Sequence, residues 1–323
     1  MKQDTKRTLI LCTLLVFYII VAITGVYNIG SGLMLSILGI PFALHIVKNE
    51  YKVSIHVLYN LAICLSIYAL TGGIEGTFAY IVNISVPAYA IAYFYRNKYP
   101  LPSIVIYVAI INACAALIYQ VVMKTSGINY ELQYMLYTEE LKTIFIPNFV
   151  HQFASISGNL EPSLEVQLTQ VLISSFELVK QLFAALLVMN TFICTVVQVL
   201  IIHGILRHKD KKLSKFGELL EFRLSKIVVV FLLVAIMTIS IATDALSGTV
   251  ILGVNIIVVT YMLFMIVGLL GMIGLVKKAV VSKKVKVMSA IFLGVVILMS
   301  PTLLILFGFL DTFLNFRKVT LVV

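Results

Sequence analysis

The sequence predicts an all-α protein: a bundle of about nine transmembrane helices, with amphipathic helices in one long extracytoplasmic loop. Three observations predict it. Hydrophobic residues make up 61% of the 323 residues and charged residues only 12%, against about a quarter charged in an average soluble domain. The apolar residues gather into runs near the length that crosses a hydrocarbon core. The positive charge lies in the short turns between those runs. So little charge cannot cover a soluble fold of this size. Hydrocarbon can solvate the excess apolar surface, provided each span satisfies its own backbone as a helix.

The expected spans lie at about 8–27, 32–47, 53–71, 77–95, 103–123, 182–206, 226–243, 249–276 and 286–308. The first follows a basic start (Lys2, Lys6, Arg7), and its apolar run is long for a signal-peptide core. No clean small-x-small cleavage pattern follows, so it reads as a retained helix. The second is short and contains Gly39-Ile40-Pro41, which marks a kink or a tilt. Between spans five and six, residues 163–182 place Leu164, Leu168, Val171, Leu172, Phe176, Val179 and Phe183 at helical spacing, with Glu165 and Glu177 on the opposite, wet face. Residues 131–146 form a weaker amphipathic helix that Pro147 should interrupt. The chain thus divides into an N-terminal five-helix membrane half (1–123), an extracytoplasmic amphipathic segment (124–181) and a C-terminal four-helix half (182–323) carrying a basic loop (207–226).

Charge sets the orientation. With the N-terminus in the cytoplasm, nineteen of the 24 Lys and Arg residues fall on the cytoplasmic side, and nine spans put the C-terminus outside. Nine of the 14 acidic residues lean outward. The formal charge of +10 is therefore topology and attraction to anionic headgroups, not a nucleic-acid surface, because no basic stripe is interleaved with aromatics. Lys209, Lys211, Lys212 and Lys215 form the lipid surface, or a dock for a membrane or cytoplasmic partner. Phe216, Leu219, Leu220 and Leu224 follow as a short interfacial helix. Cys12, Cys64, Cys114 and Cys194 fall in different spans without CxxC spacing and read as small buried hydrophobes. Tryptophan is absent, so Tyr93, Tyr95, Tyr99 and Tyr107 supply the interfacial belt.

Catalysis leaves no trace. There is no HExxH, GxSxG, Walker or Rossmann pattern, and Glu139-Glu140 are adjacent helix positions that point apart. His45, His56, His203 and His208 lie at loop edges and read as snorkelling interfacial residues. The sequence therefore predicts no enzyme, no metal and no cofactor. No ionisable residue falls mid-span; Glu75 and Asp244 lie near outer ends, which argues against proton coupling. What remains mid-span is amides: Asn60, Asn83, Asn112, Asn190, Asn255 and Gln198. They serve either as hydrogen bonds between helices or as a ligand pocket. Asn83, Asn112 and Glu75 are the best group for an uncharged, outward-facing pocket. Gly268, Gly271 and Gly274 allow close helix approach.

Gly39-Ile-Pro-Phe-Ala-Leu44, Thr71-Gly-Gly73, Phe222-Arg-Leu224, Asn255 before Gly268-Leu-Leu-Gly271, and the tail Gly308-Phe-Leu-Asp311…Phe316-Arg317 resemble, in that order, the YybS-like predicted membrane proteins of Gram-positive bacteria, a domain of unknown function. The front half of that family is loosely similar to the substrate-binding subunits of energy-coupling-factor vitamin transporters. The resemblance implies an outward-facing pocket for a small, vitamin-like molecule and a partner on the cytoplasmic side. Two functions follow as expectations: a small-molecule binding or transport subunit, or a membrane scaffold that recruits partners and binds no substrate. The charge pattern makes a direct prediction. Reporter fusions within 207–226 should report cytoplasm, and fusions within 124–181 the opposite side; reversed readouts at both would reject the orientation.

Overall fold

Long apolar runs without internal β-signals leave the backbone one economical solution, and every regular element among the described residues is helical. The computed structural model describes residues 3–23, 32–49, 53–157, 162–210, 213, 215–242, 248–278, 284–285, 287–289, 291, 294–295 and 300–314. In chain order these form α1 (Gln3–Ile23), α2 (Gly32–Lys48), α3 (Val53–Thr71), α4 (Ile74–Tyr80), a π-helical turn (Ile81–Ser85), α5 (Val86–Arg96), α6 (Leu101–Thr125), α7 (Tyr130–Ser157), α8 (Pro162–Gln181), α9 (Phe183–Lys209), a 3-10 turn (Phe216–Glu221), α10 (Ile227–Ile241), α11 (Gly248–Lys278) and α12 (Pro301–Leu314). The stretches Ile74–Arg96, Leu101–Thr125, Phe183–His208 and Gly248–Lys278 are long and apolar enough to cross a membrane. Shorter apolar helices occur within α1, α2, α3, α10 and α12.

Two compact units emerge, interleaved in sequence: residues 1–119, 188–226 and 261–323 in one, 120–187 and 227–260 in the other. In the first, α2 lies along the π turn and α5. Gly39 makes that approach possible, because a Cβ there would sit 3.6 Å from the Ile84 Cα and 3.0 Å from the Gln198 amide. Tyr18, Phe42, Tyr80, Ile84 and Ile91 fill the core between these helices. Tyr18 stacks edge-on against Phe42 and donates to the Leu38 carbonyl at 3.0 Å. Farther along the chain, α11 and α12 cross backbone to backbone at Gly268 and Gly308; a Cβ on either glycine would overlap the carbonyl of Leu304 or Phe264. Near its C-terminal end, α11 meets the 3-10 turn, with Gly274 against Leu220.

In the second unit, α7 and α8 pair side by side. Phe145 packs on Phe176, and the Tyr134 hydroxyl donates to the Val179 carbonyl at 2.7 Å. Lys142 bridges Glu139 (2.7 Å) and Glu177 (2.8 Å), and Lys180 joins the same two carboxylates. The hydrogen bonds from Lys142 and then Lys180 hold both carboxyls below the ordinary range. The contribution of this network is present above that range and fades as pH falls through the lowered values; exposure keeps it small.

Four expectations need correction. Pro147 does not interrupt α7; it lies on an exposed face, as does Thr143 one turn back, whose carbonyl it leaves without a helical donor. The final helix starts at Pro301, a favoured first-turn residue, so it runs on to Leu314 instead of ending near 308 and takes in Asp311, which is fully buried. Of the cysteines only Cys194 is buried; Cys12 and Cys114 are exposed and Cys64 is half-buried. Tyr95 is buried rather than interfacial, as are His45 and His203. The close crossing yields a test. Gly268→Ala or Gly308→Ala should destabilise the solubilised protein by about 1–3 kcal/mol through overpacking, whereas Gly248→Ala, with open space around it, should not. Thermal unfolding in detergent measures both.

Candidate functional site

Five of the span asparagines fall in three places. The first centres on Asn60, on α3. Its Oδ1 accepts from the Tyr80 hydroxyl (3.1 Å) and the Ser85 hydroxyl (2.8 Å), while its Nδ2 donates to the Tyr89 hydroxyl and the His56 carbonyl (2.9 Å). One amide thus ties α3 to α4, to the π turn and to α5. Against this hub lies a groove of about 830 Å³, lined by His56, Asn60, Ser85, Tyr89, Tyr93 and Arg96 together with aliphatic residues of α3 and α5. Arg96 donates to the carbonyls of Ile46 (2.5 Å) and Asn49 at the C-terminal end of α2. A cation there satisfies orphan carbonyls and complements the helix dipole. The groove therefore has a cationic end, an amide and two phenols along its length, and apolar walls.

The second place brings together Asn83, Asn112 and Asn190, three of the six residues singled out from sequence. With Val82, Pro87, Ala116, Thr191, Cys194 and Thr195 they line a cavity of about 20 Å³. That holds roughly one water, far too little for a vitamin-sized molecule. Asn112 is buried and donates through Nδ2 to the Thr195 hydroxyl at 2.9 Å, while its Oδ1 has no protein partner. Asn83 sits in the π turn and donates to the Ala79 carbonyl at 3.0 Å. Neither Glu75, half-buried in the first turn of α4, nor Asn60 lines this cavity.

The third place is Asn255, in the second unit. It spans the one-residue break between α8 and α9: Nδ2 donates to the Gln181 carbonyl (2.7 Å) and Oδ1 accepts from the Ala185 N–H (2.7 Å). It also donates to Ile251 at 2.7 Å. The break leaves backbone groups without helical partners, and this amide supplies them. Its role is that of a splice.

The basic loop behaves differently from an independent surface helix. Phe216 covers His203, whose Nδ1 lies 2.9 Å from the Tyr95 hydroxyl, and the Arg207 guanidinium stands 5.9 Å over the Phe216 ring. Leu219 packs against the core, and the helix is a 3-10 turn followed by extended backbone instead of the interfacial helix expected through Leu224. Lys215 is exposed. Lys211 and Lys212 lie outside the described residues, as does the Lys209 side chain. Among the described residues no cluster of three His, Cys, Asp or Glu side chains could hold a metal.

A family model for predicted membrane proteins, DUF2232, matches residues 10–312, nearly the whole chain. The chain belongs to the DUF2232 family. No curated protein and no solved structure matches it. In this DUF2232 protein sequence reasoning singled out Asn60 but missed Ser85, Tyr89 and Arg96, which line the groove with it. Arg96 reads in sequence as topology charge, and Tyr89 and Ser85 as ordinary span residues. The signal was present: Ser85, Tyr89 and Arg96 recur at intervals of four and seven, one face of a helix. The Asn60 hub is directly testable. Asn60→Leu should cost about 1–3 kcal/mol, because three hydroxyls lose their shared partner at once. The measurement is thermal unfolding in detergent; an unchanged melting temperature would contradict the hub.

Proposed function

We propose that this protein is a nine-span membrane protein, N-terminus in the cytoplasm and C-terminus outside, that binds a small amphipathic anion as the ligand-binding part of a transport system. The observation that carries the reading is the groove beside Asn60. Its volume, about 830 Å³, falls in the range of small-molecule sites, which are largely apolar with a few convergent polar groups. The comparison within the molecule is instructive. A second groove of about 830 Å³, between Met272 and Leu310, has, among its described lining residues, Ser289 as the one hydroxyl-bearing side chain and no charged one; those walls fit an acyl chain. Beside Asn60 the polar groups are graded: Arg96, Asn97 and His56 toward the loop ends, Asn60 and Ser85 deeper. That grading favours a ligand with an anionic head and an apolar body. The positive-inside pattern favours a cytoplasmic position for the Arg96 end, so this reading has the pocket open inward, where the sequence suggested an outward-facing one.

The scaffold reading draws less support. The loop that would recruit a partner, Arg207–Lys226, spends Phe216, Leu219 and Leu220 on its own helices. The absence of catalytic motifs keeps the reading outside enzymology.

Native mass spectrometry of the gently solubilised protein tests the proposal. A retained small anionic amphiphile is expected, and Val57→Trp, which fills the groove from an exposed position without touching the Asn60 hydrogen bonds, should abolish its retention. Unliganded wild-type protein, or an adduct equally abundant on Val57→Trp, would reject the groove as the site.

A further inference from the structure

In the groove beside Asn60, the hydrogens already spent decide what can bind. The strong donors of its deeper part all have protein acceptors. Asn60 gives one amide hydrogen to the His56 carbonyl at 2.9 Å and the other to the Tyr89 hydroxyl. Ser85 gives its hydrogen to the Asn60 Oδ1 at 2.8 Å, and Tyr89 turns its own toward the His56 carbonyl at 3.5 Å. The Cys64 thiol remains, and a thiol is a feeble donor. Ser85 and Tyr89 keep spare lone pairs there, which an anion avoids. Val57, Leu61, Ile81 and Ala92 add only hydrocarbon.

The uncommitted donors lie together at the loop end. Arg96 uses Nη2 for the Ile46 and Asn49 carbonyls, which leaves the N–H groups of Nε and Nη1. Asn97 uses one amide hydrogen on the Tyr93 carbonyl at 2.8 Å and keeps the other. The Tyr93 hydroxyl has no acceptor among the described residues. Tyr93, Arg96 and Asn97 lie about one turn apart at the end of α5, and His56, in the first turn of α3, lines the same end. The groove thus offers one charged, hydrogen-bonding head position and no strong donor farther in. Its flank is open: Val57, Leu61 and Tyr93 are 59%, 52% and 59% exposed. Val57 and Leu61 stand one turn apart on α3, an apolar helix whose outer face, in a span, meets hydrocarbon. A molecule of the surrounding leaflet can enter sideways without leaving the bilayer.

We infer that the ligand of this groove is a membrane lipid, an acyl chain with one oxyanion head, seated with the head at Tyr93, Arg96 and Asn97 and the chain along Val57 and Leu61. The inference rests on the proposed role of the groove as the ligand site, and it narrows the ligand from any small amphipathic anion to a lipid. A soluble, vitamin-like anion with polar groups along its length would find no strong donors for them.

Native mass spectrometry of the full chain in an uncharged detergent, titrated with three probes, tests this. Oleoyl lysophosphatidic acid has head and chain, oleoyl lysophosphatidylcholine the same chain with a zwitterionic head, and glycerol 3-phosphate the head without the chain. The first should give a saturable one-to-one adduct. The second should need at least about tenfold more for equal occupancy, the effect of losing one charge-assisted contact. The third should give none. Val57→Trp and Leu61→Trp, both at exposed positions, should each remove the lysophosphatidic acid adduct without lowering the melting temperature; if one fails to fold, the other decides. Glycerol 3-phosphate bound as tightly as lysophosphatidic acid, and lost in the Trp variants, would overturn the lipid and leave the groove as a site for a soluble anion. Equal binding of the two lysolipids would overturn the anionic head. Lysophosphatidic acid adducts undiminished in the folded Trp variants would reject the groove itself.

Discussion

An amide or hydroxyl inside hydrocarbon has no water to fall back on, and that single constraint organises this molecule. Each polar side chain placed in a span must meet a protein group or a ligand. Asn60 meets it by serving four helical segments at once, through Tyr80, Ser85, Tyr89 and the His56 carbonyl. Asn255 meets it by repairing the break between α8 and α9. Tyr95 and His203 meet it together beneath Phe216. Asn112 meets it by half, and the unmet oxygen is where the molecule has room for something that is not protein.

The same constraint explains where backbone irregularity is tolerated. The π turn and Pro87 interrupt a helix at a point enclosed by α2 and α9 instead of lipid, where Gly39 lets the backbones approach. Interrupted backbone is costly in hydrocarbon and useful only as a lining. Here the interrupted turn lines the small cavity on one face and the large groove on the other.

Much of this was legible in the sequence, and the boundary between legible and illegible is physical. The helices, the amphipathic α8 and the close approach at Gly268 follow from composition and period, which are local. That Asn83 and Asn112 share a site was guessed from depth, with Glu75 named as their third member where the structure has Asn190; the volume they enclose was not, because a cavity's size depends on how the π turn, α5, α6 and α9 pack, which no single segment encodes. The start of α12 was misjudged because Met299-Ser300-Pro301 is nearly as apolar as its flanks, and hydropathy outvoted the proline; the error hid buried Asp311. Cys12 and Cys114 were assigned to the interior because apolar side chains in a soluble protein go there. In a membrane protein the outside is apolar too, and their exposed positions are the expected lipid-facing ones.

That last point bears on everything else, since the spans are stable only if hydrocarbon bathes their outer faces. The four natural cysteines are free and make the measurement direct. A charged, membrane-impermeant maleimide is applied to sealed and to opened native membranes, and adducts are located by mass spectrometry. Cys12 and Cys114, exposed on the protein surface but immersed in lipid, should stay unlabelled in both preparations and react fully once the protein is denatured in detergent. Rapid labelling of either cysteine in intact membranes would put water where hydrocarbon is required, and the account would fail.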